Sequence, residues 1–279
     1  MMSHRAVGPG APRPAAGAAG SVIGVREPNT VRRNTWLRPV RPAGWWFDAL
    51  LLAGLVAVTV ALADRRLFGI DRAVADWADA HRPPVAHGIA VVFNYLGQGM
   101  PLTLLTAGMG LLLAVRLHSL RPLLPSVVAF ALTYVTIGPL KVWTARPAPS
   151  ASVKEPYLPP EQTLPLFQDE LPLKFAQSYP SGHVANAILW YGVLALLLAP
   201  LLRSYGRSIS PRLVTVVRVV PPVVVMFTTT YLGWHWLTDS VAGLLLGLLL
   251  DRILHRVPWD DVPLPGRLRN WNRPFISYP

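Results

Sequence analysis

Six stretches of this chain approach the roughly 20 apolar residues needed to cross a hydrocarbon layer about 30 Å thick. They run approximately over 45–63, 101–117, 123–140, 184–202, 214–232 and 236–254. Inside a bilayer the backbone finds no water, so a spanning segment must satisfy its own N–H and C=O groups, and a single run of this length does so as a helix. The chain is therefore expected to be an all-α membrane protein with six transmembrane helices. Composition agrees, since 52% of the 279 residues are apolar and only 14% are charged, too few charges for a soluble domain of this size. The second and fifth stretches are the least regular. The second is short and follows a half-apolar segment, Gly88 to Gly97, which either extends it or forms an interfacial helix. The fifth holds Arg218 and Pro221-Pro222. An arginine near a helix end can reach the headgroups, and neighbouring helices satisfy the carbonyls that prolines leave free.

Lysines and arginines orient the spans, because cytoplasmic segments carry the excess. Counting the segments that alternate across the six stretches gives 17 basic residues on one side and eight on the other. The richer side holds both termini, which are therefore expected in the cytoplasm, with the chain in the cell's inner (plasma) membrane. The net charge of +12 is then a signature of topology and of attraction to anionic headgroups, and no nucleic acid partner is inferred. Cysteine is absent, which excludes disulfides and thiolate metal sites. Residues 1–44 are rich in Pro, Gly, Ala and Arg and read as a disordered basic segment, not a cleavable signal peptide. Residues 45–255 make the membrane domain, and 256–279 a mostly irregular cytoplasmic tail. Between the first two spans, Asp71 to His81 places Ile70, Val74 and Trp77 on one side and acids on the other, as an amphipathic helix on the outer surface. Residues 147–179 form a long proline-bearing outer loop, in length a lid or a floppy connector.

Three clusters of chemically able residues fall at the ends of the spans, all on that outer side. Lys141 and Arg146-Pro147 close the third span and offer positive charge where a phosphate would otherwise meet apolar side chains. Pro180-Ser181-Gly182-His183 opens the fourth. There Gly182 permits close backbone approach, the first N–H groups of the helix attract an anion, Ser181 can cap the helix and donate to a phosphoryl oxygen, and His183 can protonate a leaving oxygen. His235 and Asp239 stand four residues apart at the start of the sixth span, so on a helix they share a face. A carboxylate at membrane depth needs a partner, and the imidazole beside it gains a fixed tautomer and a nitrogen free to attack phosphorus. Taken singly, each cluster has a plainer explanation: interfacial snorkelling, a serine cap, or a helix-capping ion pair. Their convergence on one membrane face favours phosphoryl chemistry.

With these motifs the chain resembles the type 2 phosphatidic acid phosphatase family, whose pattern is K-x6-R-P, then P-S-G-H, then S-R-x5-H-x3-D on a six-helix membrane core. The second part is complete at Pro180 to His183, and the histidine and aspartate of the third are His235 and Asp239. The resemblance implies a lipid phosphate phosphatase without cofactor or metal. Lys141, Arg146, Ser181 and Gly182 would hold phosphate, His235 would attack, His183 would protonate the leaving group and Asp239 would steady His235. A phosphomonoester or pyrophosphate of a lipid or polyprenyl carrier is the substrate class implied. Two departures stand out. The register of the first family arginine falls on Ala148, and the Ser-Arg pair of the third motif is Thr228-Thr229. Arg146 is expected to replace one arginine, and Lys154 or Lys174 the other. Two alternatives follow from the same residues: transfer of the phosphoryl-linked group to an alcohol, or a degenerate lipid-binding or transport protein.

Overall fold

The computed structural model describes residues 41–151, 158–168 and 171–276. Among them lie eight α-helices and no strand: α1 (Trp46–Ala63), α2 (Phe68–Ala80), α3 (Pro84–Asn94), α4 (Gly99–Leu117), α5 (Leu124–Thr144), α6 (Gly182–Arg203), α7 (Pro211–Tyr231) and α8 (Leu237–Arg256). Each of the six expected spans is one of these helices. Five of them, α1, α4, α5, α6 and α7, are long and apolar enough to cross a bilayer. The half-apolar segment before α4 is a separate short helix, α3, joined to it by a 3-10 turn at Tyr95–Gly97. Pro221 and Pro222 sit inside α7 without ending it.

Burial sorts the helices. In α6, 78% of the apolar window is buried, against 17 to 33% in the other four, so α6 is the central post and the rest carry lipid-facing surface. Leu104 of α4, Phe130 and Tyr134 of α5, and Val223 and Phe227 of α7 are exposed. The eighth helix packs on α6 through Gly243 and Gly247. A Cβ at Gly243 would stand 2.5 Å from the Ser181 carbonyl oxygen, and one at Gly247 2.9 Å from the Ala185 Cα. Small residues spaced by four let two membrane helices touch backbone to backbone, which van der Waals packing then stabilises.

The segments expected on the cytoplasmic side meet at one end of the bundle. Arg116 donates to the Ser204 carbonyl at 2.9 Å, Arg203 to that of Ile276 at 2.8 Å, and Arg252 of α8 pairs with Asp48 of α1 at 2.8 Å. The tail departs from expectation. It folds back as short 3-10 turns, burying Trp259 and Phe275, and Asp260 accepts the backbone N–H groups of Phe275 and Ile276. Arg218 likewise reaches a carboxylate, Asp251 of α8 at 2.7 Å, where snorkelling to headgroups was expected. The other end of the bundle gathers α2, the described parts of the long loop, and the ends of α5, α6 and α8 that carry the three clusters.

Candidate active site

His235 stands just before α8, not within it. Trp236 is the N-cap, and its backbone N–H donates to Asp239 Oδ2 at 2.9 Å, so the carboxylate caps the helix while facing the histidine. His235 Nδ1 lies 3.7 Å from the same Oδ2 and 3.2 Å from Ser178 Oγ. Ser178 in turn donates its hydroxyl proton to Asp239 Oδ2. With Nδ1 turned to these oxygens, Nε2 points the other way, to His183 Nδ1 at 3.4 Å. The expected pairing of His235 and Asp239 is present, built by a helix cap and not by one helical face. Burial holds the His235 imidazole below its usual pKa, against the pull of Asp239 toward the cation, so the ring rests neutral.

Asp239 is fully buried and is itself held from behind. Arg146 Nη1 donates to its Oδ1 at 2.5 Å and to Thr238 Oγ1 at 2.8 Å, Nη2 donates to Asp71 Oδ2 at 2.7 Å, and Nε to the Leu164 carbonyl at 2.8 Å. Asp71 also accepts the backbone N–H and the hydroxyl of Thr238, at 2.9 and 2.6 Å. This corrects two expectations. Arg146 was placed among the phosphate-gripping groups, yet its side chain has no exposure and its donors serve two carboxylates, a hydroxyl and a carbonyl. Asp71 was read on the solvent face of α2, yet it is fully buried while Ile70 and Trp77 are half exposed. A helix lying along lipid turns its apolar edge outward and its carboxylate inward when a buried guanidinium awaits it.

A cavity of about 460 Å³ opens in front of His235. Lys141, Lys174, Gly182, His183 and Trp234 share its wall. Lys141 comes from the last turn of α5 and donates to the Gln177 carbonyl, close against Gly182. Gly182 and His183 come from the first turn of α6. Ser181 is the N-cap, accepting from the Val184 N–H at 3.4 Å, and its side chain is fully buried, so it braces the helix start behind the cavity wall. Ala148, at the register of the first family arginine, does line the cavity; Thr229, at the register of the second, is buried, and neither supplies charge. Lys174 is the loop lysine that the structure brings to the wall, whereas Lys154 lies outside the described residues.

The described parts of the 147–179 loop serve as scaffold. Phe167 and Gln168 donate backbone N–H groups to the Thr144 and Ala145 carbonyls at 2.5 and 3.1 Å, Trp236 Nε1 donates to the Pro147 and Thr163 carbonyls at 3.0 and 3.1 Å, and the Tyr179 hydroxyl meets Thr59 of α1 at 2.6 Å. Leu158, Leu164, Leu166 and Ala176 are buried beneath. Sequence reasoning missed Ser178, two residues before the Pro-Ser-Gly-His run, because one serine in a polar loop gives no signal of its own.

Comparison with known proteins bears on this arrangement. The PAP2 superfamily model matches residues 122–263, a stretch that contains all three clusters. Phosphatidylglycerophosphatase B of Bacillus subtilis (strain 168) is 38% identical over 73 residues, 26% of this chain; the chain spans 35% of that relative's length. The crystal structure of a transmembrane PAP2-type phosphatidylglycerolphosphate phosphatase from Bacillus subtilis superposes with a TM-score of 0.59 at 24% identity, covering 74% of this chain and 93% of that one, a likeness of fold. Since the family model takes in just over half of the chain and the fold agrees, this multi-pass membrane protein belongs to the PAP2 superfamily.

Proposed function

We propose that the protein is a membrane lipid phosphatase that hydrolyses a phosphomonoester or pyrophosphate of a lipid or polyprenyl carrier through a phosphohistidine. The observation that carries this reading is the facing pair His183 and His235 at one end of a cavity that also holds two lysines. With Nδ1 of His235 occupied by Ser178 and Asp239, the lone pair of Nε2 is the one available to the cavity. Nε2 attacks phosphorus, the N–P bond forms as the P–O bond to the leaving group breaks, and His183 delivers a proton to the departing oxygen. Water then attacks phosphorus, giving its proton to His183 while the N–P bond returns its electron pair to Nε2, and inorganic phosphate departs. Asp239 steadies the positive charge that His235 acquires.

Lys141, Lys174 and the backbone of Gly182 at the start of α6 hold the phosphoryl oxygens, which places the charge stabilisation on protein donors and needs no metal. The membrane helices support a substrate whose tail stays in lipid. The distribution of 17 against eight basic residues supports six spans with α8 as the last, both termini cytoplasmic and the cavity on the outer face of the inner membrane.

Phosphate release from a panel of lipid phosphates in detergent, wild type against His235→Ala, tests the assignment. Release that depends on His235, with a base-stable and acid-labile phosphoryl label on the wild-type protein alone, is the expected result. Phosphate transfer only when an alcohol is added would replace hydrolase with transferase, and release equal in both proteins would end the proposal.

A further inference from the structure

Asp239 is too firmly held to serve His235 directly. Its Oδ1 accepts from Arg146 Nη1 at 2.5 Å and its Oδ2 from the Trp236 backbone N–H at 2.9 Å, so the carboxylate is fixed at both oxygens. The 3.7 Å that separates Oδ2 from His235 Nδ1 is beyond hydrogen-bond reach and cannot close without breaking one of those contacts. Ser178 Oγ fills the gap, 3.2 Å from Nδ1 and hydrogen-bonded to Oδ2. The segment that carries this buried serine is pinned at three successive residues. Lys141 donates to the Gln177 carbonyl, the Ser178 backbone N–H donates to the Arg146 carbonyl at 2.7 Å, and the Tyr179 carbonyl accepts from Thr144 Oγ1 at 2.9 Å. Arg146 therefore places both ends of the bridge, the carboxylate through its guanidinium and the serine through its carbonyl.

A serine hydroxyl has one proton to give, and a carboxylate can only accept. With that proton committed to Asp239, Ser178 Oγ can only accept from the ring, so Nδ1 of His235 carries the hydrogen and Nε2 the lone pair. Following the phosphatase reading, on which this rests, we infer that Ser178 is a positioning residue for the reaction. It is the link through which Asp239 fixes the reactive tautomer of His235 and holds the cationic ring that follows attack on phosphorus. No proton passes along the link. Nδ1 keeps its hydrogen throughout, and positive charge growing on the ring strengthens the hydrogen bond that the serine accepts. Ser178 borders the cavity, yet its hydroxyl is engaged on both sides and has no proton left to offer a phosphate.

A double-mutant cycle tests the link. Ser178→Ala, Asp239→Asn and the double variant are compared with wild type and His235→Ala on phosphatidate, phosphatidylglycerol phosphate and a prenyl pyrophosphate in mixed micelles, with rates counted per folded protein. Ser178→Ala should lower kcat roughly 10- to 100-fold, the worth of a hydrogen bond to a charged group, and leave KM near the wild-type value. Asp239→Asn should then cost at least about tenfold less in the Ser178→Ala background than in wild type, since the link it uses is already gone. Ser178→Cys fills the same space with a poor donor, so it should fold like wild type and be slowed like Ser178→Ala. Wild-type kcat in both Ser178 variants would mean that Asp239 reaches His235 unaided, and losses that multiply independently would give Ser178 a packing role. Either result overturns the inference with the phosphatase reading intact. A loss confined to KM would move Ser178 to substrate binding and overturn it as well. Absence of His235-dependent release from every lipid ends the phosphatase reading itself, a result distinct from the others.

Discussion

His183 Nδ1 stands 3.4 Å from His235 Nε2, so the two rings share a hydrogen bond across the position that the proposed mechanism gives to the phosphoryl group. An N–P bond on one ring and a leaving oxygen in hydrogen-bond reach of the other demand a separation of roughly 6 Å. Substrate must therefore part the rings. Orthovanadate, which mimics the five-coordinate phosphorus, is expected to seat on Nε2 of His235 and push His183 away by about 2 to 3 Å. A vanadate-bound structure in which the two nitrogens stay in contact would reject this geometry.

The acid side of the pH profile follows from the burial of His235. Only the neutral ring attacks, and its pKa lies below the ordinary value near 6.5, so kcat/KM should stay level as pH falls to about 6.5 and decline only below it. Asp239 favours the imidazolium, hence Asp239→Asn lowers the pKa further. The variant should lose about 100-fold to 10,000-fold in kcat while its acid limb moves to lower pH. An acid limb that rises, or one that stays in place in Asp239→Asn, contradicts the assignment of Asp239 as the charge behind His235.

Arg146 is a structural cation between two carboxylates. Arg146→Ala leaves Asp71 and Asp239 buried without their shared partner, and breaking such a pair is expected to destabilise the fold by about 3 to 5 kcal/mol. Arg146→Lys should recover only part of this, since an ammonium cannot span both carboxylates with a planar fork. Thermal unfolding in detergent reads the difference. If Arg146→Ala melts like the wild type and merely raises KM, the guanidinium belongs to substrate binding after all.

Lys174 lines the cavity from the loop, and so does the alanine at position 148. As an exposed cation it is screened, so Lys174→Ala should raise KM, and the inhibition constant of free phosphate, by roughly three- to tenfold with little change in kcat. Installing Ala148→Arg in that background should return part of the affinity, because position 148 faces the same cavity. Unchanged KM and inhibition in Lys174→Ala would leave Lys141 and the helix start as the phosphate grip.

Close approach of α8 to α6 is needed to bring His235 to His183. Gly243→Ala puts a methyl group against the Ser181 carbonyl and should cost about 1 to 3 kcal/mol of stability, with a larger loss of activity than of folded protein. Melting and turnover measured together separate the two effects, and full activity in this variant would mean the helix contact has slack.

The helical state of each apolar run and two of the three clusters could be read from residue order because each is a local property. An apolar run fixes a span wherever it packs, and Ser181-Gly182-His183 marks a helix start whatever lies opposite. Asp71 and Ser178 were not legible. Each looks like any polar residue in a surface helix or loop, and its importance comes from partners distant in the chain, Arg146 and Thr238 for Asp71 and Asp239 for Ser178.

The sequence alone determined an all-α membrane protein with clusters of basic, histidine and carboxylate residues at the ends of its apolar helices, since hydrophobicity, helix period and short motifs act over a few residues. Tertiary structure decided the use of each charge. Arg146 went behind His235 and Lys174 to the cavity wall in front of it, because a guanidinium buried among carboxylates is stable only where the fold delivers Asp71 and Asp239 to it, and that delivery depends on helices that meet only in space.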